Sequence, residues 1–120
     1  MLIKYFMTKV LCFDIDNVIC VTIGSKYKES KPNYRAIKLI NSLYKKGFII
    51  KLFTARYMGR NKDNIKLAMP KAKKITLRQL KKWKVCYHKI FFGKPSYDII
   101  IDDKALFFNK NWYKKLLSIL

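Results

Sequence analysis

Two pairs of aspartates, Asp14 with Asp16 and Asp102 with Asp103, are the side chains of this sequence best suited to chemistry. They are four of only seven acidic residues in a 120-residue chain that has 27 Lys and Arg and a net charge of +20. Clustered carboxylates repel one another unless a cation neutralises them. Mg²⁺ is typically bound by one or two carboxylates together with water. The four aspartates therefore predict a magnesium site.

Asp14 and Asp16 are also spaced for phosphoryl transfer. A carboxylate beside a metal can attack phosphorus and form an aspartyl-phosphate. If the strand breaks after Asp14, the second carboxylate can swing over the first, protonate the leaving oxygen and later activate water. Phosphoryl transfer otherwise needs positioning and charge neutralisation. The hydroxyl of Thr54 and the ammonium of Lys94 are suited to supply these.

These polar residues follow apolar runs that are typical of buried strands. The predicted strands are Lys9–Phe13, Phe48–Phe53, Lys89–Phe92 and Asp98–Ile101. Helical patterns separate the strands, which favours an α/β fold with a parallel sheet and helices on both faces. In such folds ligands bind beyond the carboxyl ends of the strands. The pattern therefore brings the candidate residues to one edge of the sheet.

The segment between the first two strands predicts a flap and a helix. Residues Asp16–Lys28 predict a loop or small flap. Ser30 is predicted to cap a helix that has Pro32 in its first turn and stops at Gly47. The apolar stripe of this helix has three- and four-residue spacing, and its members are Ile37, Ile40, Leu43 and Tyr44.

The second half of the chain predicts two more helices. Residues 55–74 are basic and irregular, and Thr76 is predicted to cap a short helix through Trp83. Residues Asn111–Leu120 repeat three apolar side chains at helical spacing, Trp112, Leu116 and Ile119, and are expected to pack on the sheet. The lysines of the basic segment are interpreted as a solvated face, and they are Lys62, Lys66, Lys71, Lys73 and Lys74.

Four segments resemble the motifs of the haloacid dehalogenase (HAD) superfamily. They are FDIDNVI at 13–19, LFTAR at 52–56, GKP at 93–95 and IIIDD at 99–103. Their order and their positions after apolar runs also match, and the resemblance implies a Rossmann-like phosphatase. Within the superfamily the chain looks like a small capless group whose members are often labelled capsular polysaccharide or lipopolysaccharide biosynthesis phosphatases.

The resemblance implies a role for each motif residue. Asp14 would be the nucleophile and a Mg²⁺ ligand. Asp16 would be the general acid/base and would offer its backbone carbonyl to the metal. Thr54 would bind a phosphoryl oxygen, and Lys94 would stabilise it. The metal would further be held, directly or through water, by Asp102 and Asp103.

Two residues depart from the commonest form of the first motif, DxDGT. Asn17 stands where Gly is usual, and because Asn tolerates a left-handed backbone we expect the turn to survive. Val18 stands where Thr is usual. Its missing hydroxyl could loosen the loop and lower activity without touching a chemical step.

The length predicts a single domain, 1–120, with no cap domain. About 40 residues separate Asp16 from Thr54 and Thr54 from Lys94. A lid would need at least ~50 residues of its own. An open site would admit a large substrate or be closed by a neighbouring subunit, so an oligomer is possible.

Two arginines and the overall charge suggest anionic partners. Arg56 and Arg60 follow Thr54 and are candidates for gripping a second anionic group of the substrate, with a solvated loop as the alternative. The charge of +20 makes nucleic acid a candidate partner. However, only four of the 27 basic residues are Arg, and AT-rich coding would explain the lysines equally well.

The number of cysteines and the hydropathy of the sequence indicate the cellular compartment that we expect. Cys12, Cys20 and Cys86 are odd in number and form no CxxC, which argues against a disulfide framework or a zinc site. We therefore expect a reducing, cytoplasmic compartment. The sequence has no apolar run long enough to predict a membrane span. Cys12 is interpreted as a small core residue and His88 as structural.

The sequence therefore predicts a Mg²⁺-dependent phosphate monoester hydrolase that acts through phospho-Asp14. A phosphorylated small molecule, such as a sugar phosphate of polysaccharide biosynthesis, is the expected substrate. Two alternatives stay open. One is a phosphatase of nucleotides or polynucleotide ends, and the other is a catalytically weak module that binds phosphorylated ligands.

Overall fold

The computed structural model describes residues 9–58, 62–93 and 105–120. Within them, a three-stranded parallel sheet has the order β1–β4–β5, where β1 is Val10–Asp14, β4 is Ile49–Thr54 and β5 is Lys89–Phe92. Two short antiparallel strands, β2 (Cys20–Val21) and β3 (Lys31–Pro32), form a flap that extends beyond the predicted loop or flap Asp16–Lys28. The predicted strand Asp98–Ile101 lies outside the described residues.

The register of the parallel sheet places five of its apolar side chains on one face. Leu11 is aligned with Ile50, Phe13 with Leu52, and Leu52 in turn with Ile90. Successive side chains on a strand point to opposite faces, so these five share a face. All five belong to the main hydrophobic core or pack against it.

The helices α1 (Tyr34–Lys45), α2 (Ile65–Lys82) and α3 (Trp112–Ile119) contribute to the same core. Their buried members in this core are Ala36, Ile37, Ile40, Leu43, Leu80, Trp112 and Leu116. The residues that the parallel sheet contributes to this core all come from one face, so helices cover that face. Helices on the opposite face stay a prediction.

The helix α1 begins later than predicted. Asn33 caps it, because its side chain accepts the backbone N–H of Ala36 at 3.2 Å. Pro32 lies in β3, where the backbone pairs with Cys20, so the predicted cap at Ser30 is wrong. Gly47 follows the helix with φ of 99°, which confirms the predicted stop.

The helix α2 is much longer than the short helix predicted from Thr76. Asn64 caps it by accepting the N–H groups of Lys66 and Leu67 at 3.0 and 3.4 Å. The helix then continues through Pro70, although proline removes one ladder hydrogen bond. Its buried side chains, Ala68, Ala72, Thr76 and Leu80, recur every four residues. This small-residue stripe packs inward and outweighs the cost of Pro70.

The outer face of α2 and the turn before it are solvated. The lysines predicted to form a solvated face are exposed, and they are Lys62, Lys66, Lys71, Lys73 and Lys74. None of the helices in the described ranges is long and apolar enough to cross a bilayer.

The C-terminal helix α3 packs as predicted through two of its three apolar positions. Trp112 and Leu116 are buried, and the Trp112 ring lies 5.9 Å from that of Phe13. Ile119 is exposed, so its predicted packing on the sheet is wrong. The helix therefore closes the core beside β1.

Three smaller predictions concern single residues. The Nδ1 atom of His88 accepts the N–H of Ile50 at 3.0 Å, which matches a structural role. Tyr44 is exposed and stacks on His88 at 4.5 Å, and is thus not part of the buried stripe. Cys12 is exposed, because it lies on the face of β1 opposite Leu11 and Phe13, and its assignment to the core is wrong.

Candidate active site

The carboxyl ends of β1 and β4 bring Asp14 and Thr54 to the same edge of the sheet. Asp14 is aligned with Phe53, so Thr54 lies one residue farther along the neighbouring strand. Asp14 is half-buried, and its Oδ1 atom accepts the N–H of Ile15 at 2.8 Å. Thr54 is 1% exposed, and its Oγ1 atom accepts the N–H of Arg56 at 3.0 Å. Since a hydroxyl is both donor and acceptor, Thr54 keeps its own proton for donation.

The chain turns sharply after Asp14, around the carbonyl of Ile15. This oxygen accepts the backbone N–H groups of Val18, Ile19 and Cys20 at 3.3, 2.9 and 3.3 Å. Asn17 has φ of 66°, which confirms that Asn sustains the left-handed turn at the position where Gly is usual. Backbone hydrogen bonds thus hold the turn even though position 18 has no hydroxyl.

The turn aims the carboxylate of Asp16 at the guanidinium of Arg56. Arg56 Nε donates to both carboxylate oxygens at 3.2 and 3.1 Å, and Nη2 donates to Oδ1 at 3.0 Å. The hydroxyl of Thr22 donates to the same Oδ1 at 2.6 Å. Of these four hydrogen bonds, Oδ1 accepts three and Oδ2 accepts one, which comes from Arg56 Nε.

Arg56 is buried, with 1% exposure, and its other nitrogens also have partners. Nη1 donates to the hydroxyl of Thr76 at 3.1 Å and to the side-chain oxygen of Gln79. Nη2 also donates to the hydroxyl of Ser30 at 3.4 Å. A buried charge is tolerated only when it is paired and its donors are satisfied. These contacts meet both conditions.

This geometry assigns Arg56 a different partner from the substrate anion expected from the sequence. Its guanidinium is directed inward at Asp16, so it is a positioning group for that carboxylate. The sequence offered no signal that Thr22, Thr76 and Gln79 belong to the site, because Thr22 lies in the flap and the other two lie on α2, and these elements meet Arg56 only in the fold.

A tyrosine pair joins the flap to the segment after Thr54. The rings of Tyr27 and Tyr57 lie 4.9 Å apart, and the Arg56 guanidinium carbon lies 5.2 Å from the Tyr27 ring centre. Gln79 donates to the Tyr27 carbonyl at 2.6 Å. Tyr57 has φ of 66°, an unusual conformation for a bulky residue. The flap is thereby fastened over the buried arginine.

Cys20 lies at the edge of the same network. Burial raises the pKa of the Cys20 thiol above its ordinary value, and the hydrogen bond with Thr22 opposes this in part. The Sγ atom lies 3.7 Å from Arg56 Nη2. All three cysteines are free thiols, and burial favours the neutral form of Cys20.

Four of the predicted site residues lie outside the described part of the chain, namely Arg60, Lys94, Asp102 and Asp103. Within residues 9–58, 62–93 and 105–120, no group of three or more His, Cys, Asp or Glu side chains could hold a metal ion. The structure thus brings together Asp14, Asp16 and Thr54 and adds Arg56 as the partner of Asp16.

Three solved structures are similar to this chain. The crystal structure of an MCSG target from Vibrio cholerae has a TM-score of 0.76 and 26% identity, over 93% of this chain and 98% of that one. A chain of the Pnkp1/Rnl/Hen1 complex has a TM-score of 0.54 and 16% identity, over 94% of this chain and 34% of that one.

A chain of the Pnkp1/Rnl/Hen1 RNA repair complex gives a TM-score of 0.55 and 15% identity, over 95% of this chain and 32% of that one. At such identities the likeness concerns the fold. No protein-family model matches the sequence. No curated protein matches it either.

Proposed function

We propose that this protein is a Mg²⁺-dependent phosphate monoester hydrolase of the capless HAD type. The observation that carries the proposal is the arrangement at the end of β1. Asp14 and Asp16 follow one strand, Thr54 ends its neighbour, and a buried arginine holds Asp16 in place. A carboxylate that is fixed in this way beside a second carboxylate suits two-step phosphoryl transfer.

In the first step a carboxylate oxygen of Asp14 attacks phosphorus. An O–P bond forms at Asp14 while the bond from phosphorus to the leaving oxygen breaks. Asp16, in its protonated form, transfers its proton to that oxygen, so that the alcohol leaves neutral. The hydroxyl of Thr54, which keeps its proton, can donate it to a phosphoryl oxygen during the transfer.

In the second step water attacks the phosphorus of phospho-Asp14. Asp16 takes the proton of that water, the O–P bond to Asp14 breaks, and the carboxylate of Asp14 is restored. We assign the proton transfers to Asp16 Oδ2, because Oδ1 accepts from Arg56 Nε, Arg56 Nη2 and the Thr22 hydroxyl, whereas Oδ2 accepts from Arg56 Nε alone among the described contacts. Arg56 therefore orients the carboxylate and compensates its charge between the steps.

The donor set at this edge fits Mg²⁺, which prefers hard oxygen ligands. The carboxylate of Asp14 and the backbone carbonyl of Asp16 would hold the ion, with Asp102 and Asp103 as the further candidates named by the sequence. The Asp16 carboxylate is paired with Arg56, so we assign it to proton transfer and not to the metal ion. When bound, the ion neutralises negative charge on the transferring group.

The direct test is phosphate release with Mg²⁺ across a substrate panel that includes a generic aryl phosphate, sugar phosphates and nucleotides. We expect wild-type turnover and none in Asp14→Asn. The Asp14→Asn variant keeps the shape of the side chain but lacks the nucleophilic carboxylate. No release from any substrate would favour the alternative of a module that binds phosphorylated ligands.

A second candidate, a phosphatase of polynucleotide ends, is favoured by one specific observation. This chain resembles chains from RNA repair complexes over 94% and 95% of its length. Adding oligonucleotides with 3′- or 5′-phosphates to the panel separates the candidates. Preferred release from an oligonucleotide end would support this substrate class over a sugar phosphate.

A further inference from the structure

A groove of about 740 Å³ lies between α1 and the turn that follows α2. Four lysines line it, Lys38 and Lys45 from α1, Lys46 directly after α1 and Lys84 from the turn, and its lining contains no acidic residue. The four lysines are all exposed. The groove is therefore a strongly cationic concavity built from two elements.

The two walls of the groove are fastened to each other. Asn41 donates to the carbonyl of Lys84 at 2.8 Å and accepts the N–H of Cys86 at 2.7 Å. The amide nitrogen and the amide oxygen of Asn41 thus both bond the turn after α2 to α1. The spacing between the walls is set before any ligand binds, which lowers the entropic cost of binding.

The groove is separate from the candidate active site. Lys45 and Lys46 immediately precede Gly47 and β4, so they lie at the amino end of that strand, whereas Thr54 ends it. Six residues of strand separate these two ends by roughly 17–20 Å. A ligand in the groove therefore needs no contact with Asp14.

The lining also has an apolar part. Ile37 and Trp83 line the groove although they are only 3% and 6% exposed, so they form its floor. Tyr34, which is 64% exposed, also lines the groove, at the start of α1. Single-stranded nucleic acids are bound by cationic grooves that track the phosphates and by aromatic side chains on which bases stack. This groove offers both features.

We propose that this groove binds the backbone of a single-stranded polynucleotide. The lysines face its phosphates, and its bases stack on the exposed ring of Tyr34. An anionic membrane is a poorer match, since a flat surface cannot reach lysines on both walls of a concavity. An acidic peptide carries the charge but has no bases to stack on Tyr34. The proposal does not rest on the phosphatase chemistry.

The chain offers a closely matched control for the test. Lys38, Lys45 and Lys46 have the same spacing on α1 as Lys66, Lys73 and Lys74 have on α2. Replacing either set by Gln removes three charges and keeps good helix formers. We would measure the fluorescence anisotropy of a labelled 15-nucleotide single strand without Mg²⁺, so that no turnover interferes.

We expect the α1 triple variant to bind at least tenfold more weakly near 0.1 M salt. The slope of log K against log salt should fall by about 2, at ~0.7 per phosphate contact in single strands. The α2 variant should lose less than threefold. Tyr34→Ala, which changes no charge, should lose about fivefold through stacking.

Four results would overturn the proposal. They are no binding by the wild type, equal losses in the two triple variants, unchanged affinity in Tyr34→Ala, and α1-lysine-dependent binding to phosphatidylserine vesicles or polyglutamate in place of the oligonucleotide. Because the assay measures binding alone, it can fail while phosphatase activity is found, and the reverse also holds.

Discussion

The guanidinium of Arg56 lies 3.0 Å from the carboxylate of Asp16, and this cation is 1% exposed whereas the Asp16 side chain is 21% exposed. The pair therefore has a buried cationic half and a carboxylate that reaches the surface. Such a pair fixes the direction of the carboxylate while leaving it accessible. This relationship supports the proposed role of Asp16 in proton transfer.

Removing the buried member of this pair should destabilise the protein. Truncating one partner of a buried ion pair typically costs about 3–5 kcal/mol, so Arg56→Ala should lower the free energy of unfolding by roughly that amount. Arg78→Ala is the control, because Arg78 is exposed on α2 and should change stability by less than about 0.5 kcal/mol. Urea unfolding measures both, and equal midpoints would contradict the structural role of Arg56.

Asp14→Asn should abolish phosphate release, since an amide cannot attack phosphorus effectively. Asp16→Asn should slow turnover by ~10²–10⁴-fold, the usual contribution of a general acid or base. Steady-state rates with an aryl phosphate check both, and circular dichroism verifies that the variants are folded. Full activity in Asp14→Asn would refute the covalent route.

Removing Mg²⁺ should abolish turnover and weaken thermal stability. A ligand that binds the native state alone stabilises it by about 2.7 kcal/mol at a hundred times its dissociation constant. Adding Mg²⁺ to chelator-treated protein should therefore raise the melting temperature, and Asp14→Asn should reduce the shift. A shift of the same size in that variant would place the ion elsewhere.

The cysteines should react with iodoacetamide in the order of their exposure. Cys12 is exposed and Cys20 is buried, and because burial raises the pKa of Cys20, its reactive thiolate is scarce in the folded state. Intact-mass kinetics should show Cys12 modified first and Cys20 last. Rapid modification of Cys20 in folded protein at neutral pH would contradict its burial.

The same pKa shift has a consequence for stability. The pKa of Cys20 in the folded protein lies above its value in the unfolded chain. The associated stability is therefore fully present below the unfolded pKa and is lost as pH rises through the folded pKa. Urea midpoints between neutral and alkaline pH should fall less in Cys20→Ser than in wild type.

The start of α2 can be tested through its cap. Asn64→Ala should lower the free energy of unfolding by about 1 kcal/mol, because two N–H groups lose their acceptor. Asn64→Asp, which keeps an acceptor, should change it little. If both variants matched the wild type, the helix would begin later than residue 64.

Residue types and spacing alone predicted the three strands of the parallel sheet, the strand ends that carry Asp14 and Thr54, and the turn at Asn17. These follow from local rules, since apolar runs predict strands and Asn tolerates positive φ. The true start of α2 escaped those rules, because Pro70 and the charges around it resemble a loop. The buried spacing from Ala68 to Leu80 is a signal that could have revealed it.

The partners of Arg56 and the walls of the groove lined by Lys38, Lys45, Lys46 and Lys84 became visible in the folded chain. Arg56 contacts Asp16 and Ser30 in the flap and Gln79 on α2, and Asn41 on α1 contacts Lys84 in the turn after α2. Such contacts depend on how elements pack, and residue type and spacing carry no information about them. The sequence therefore named candidate residues by their type and spacing, whereas the packing decided that the carboxylate of Asp16 is paired with a buried arginine.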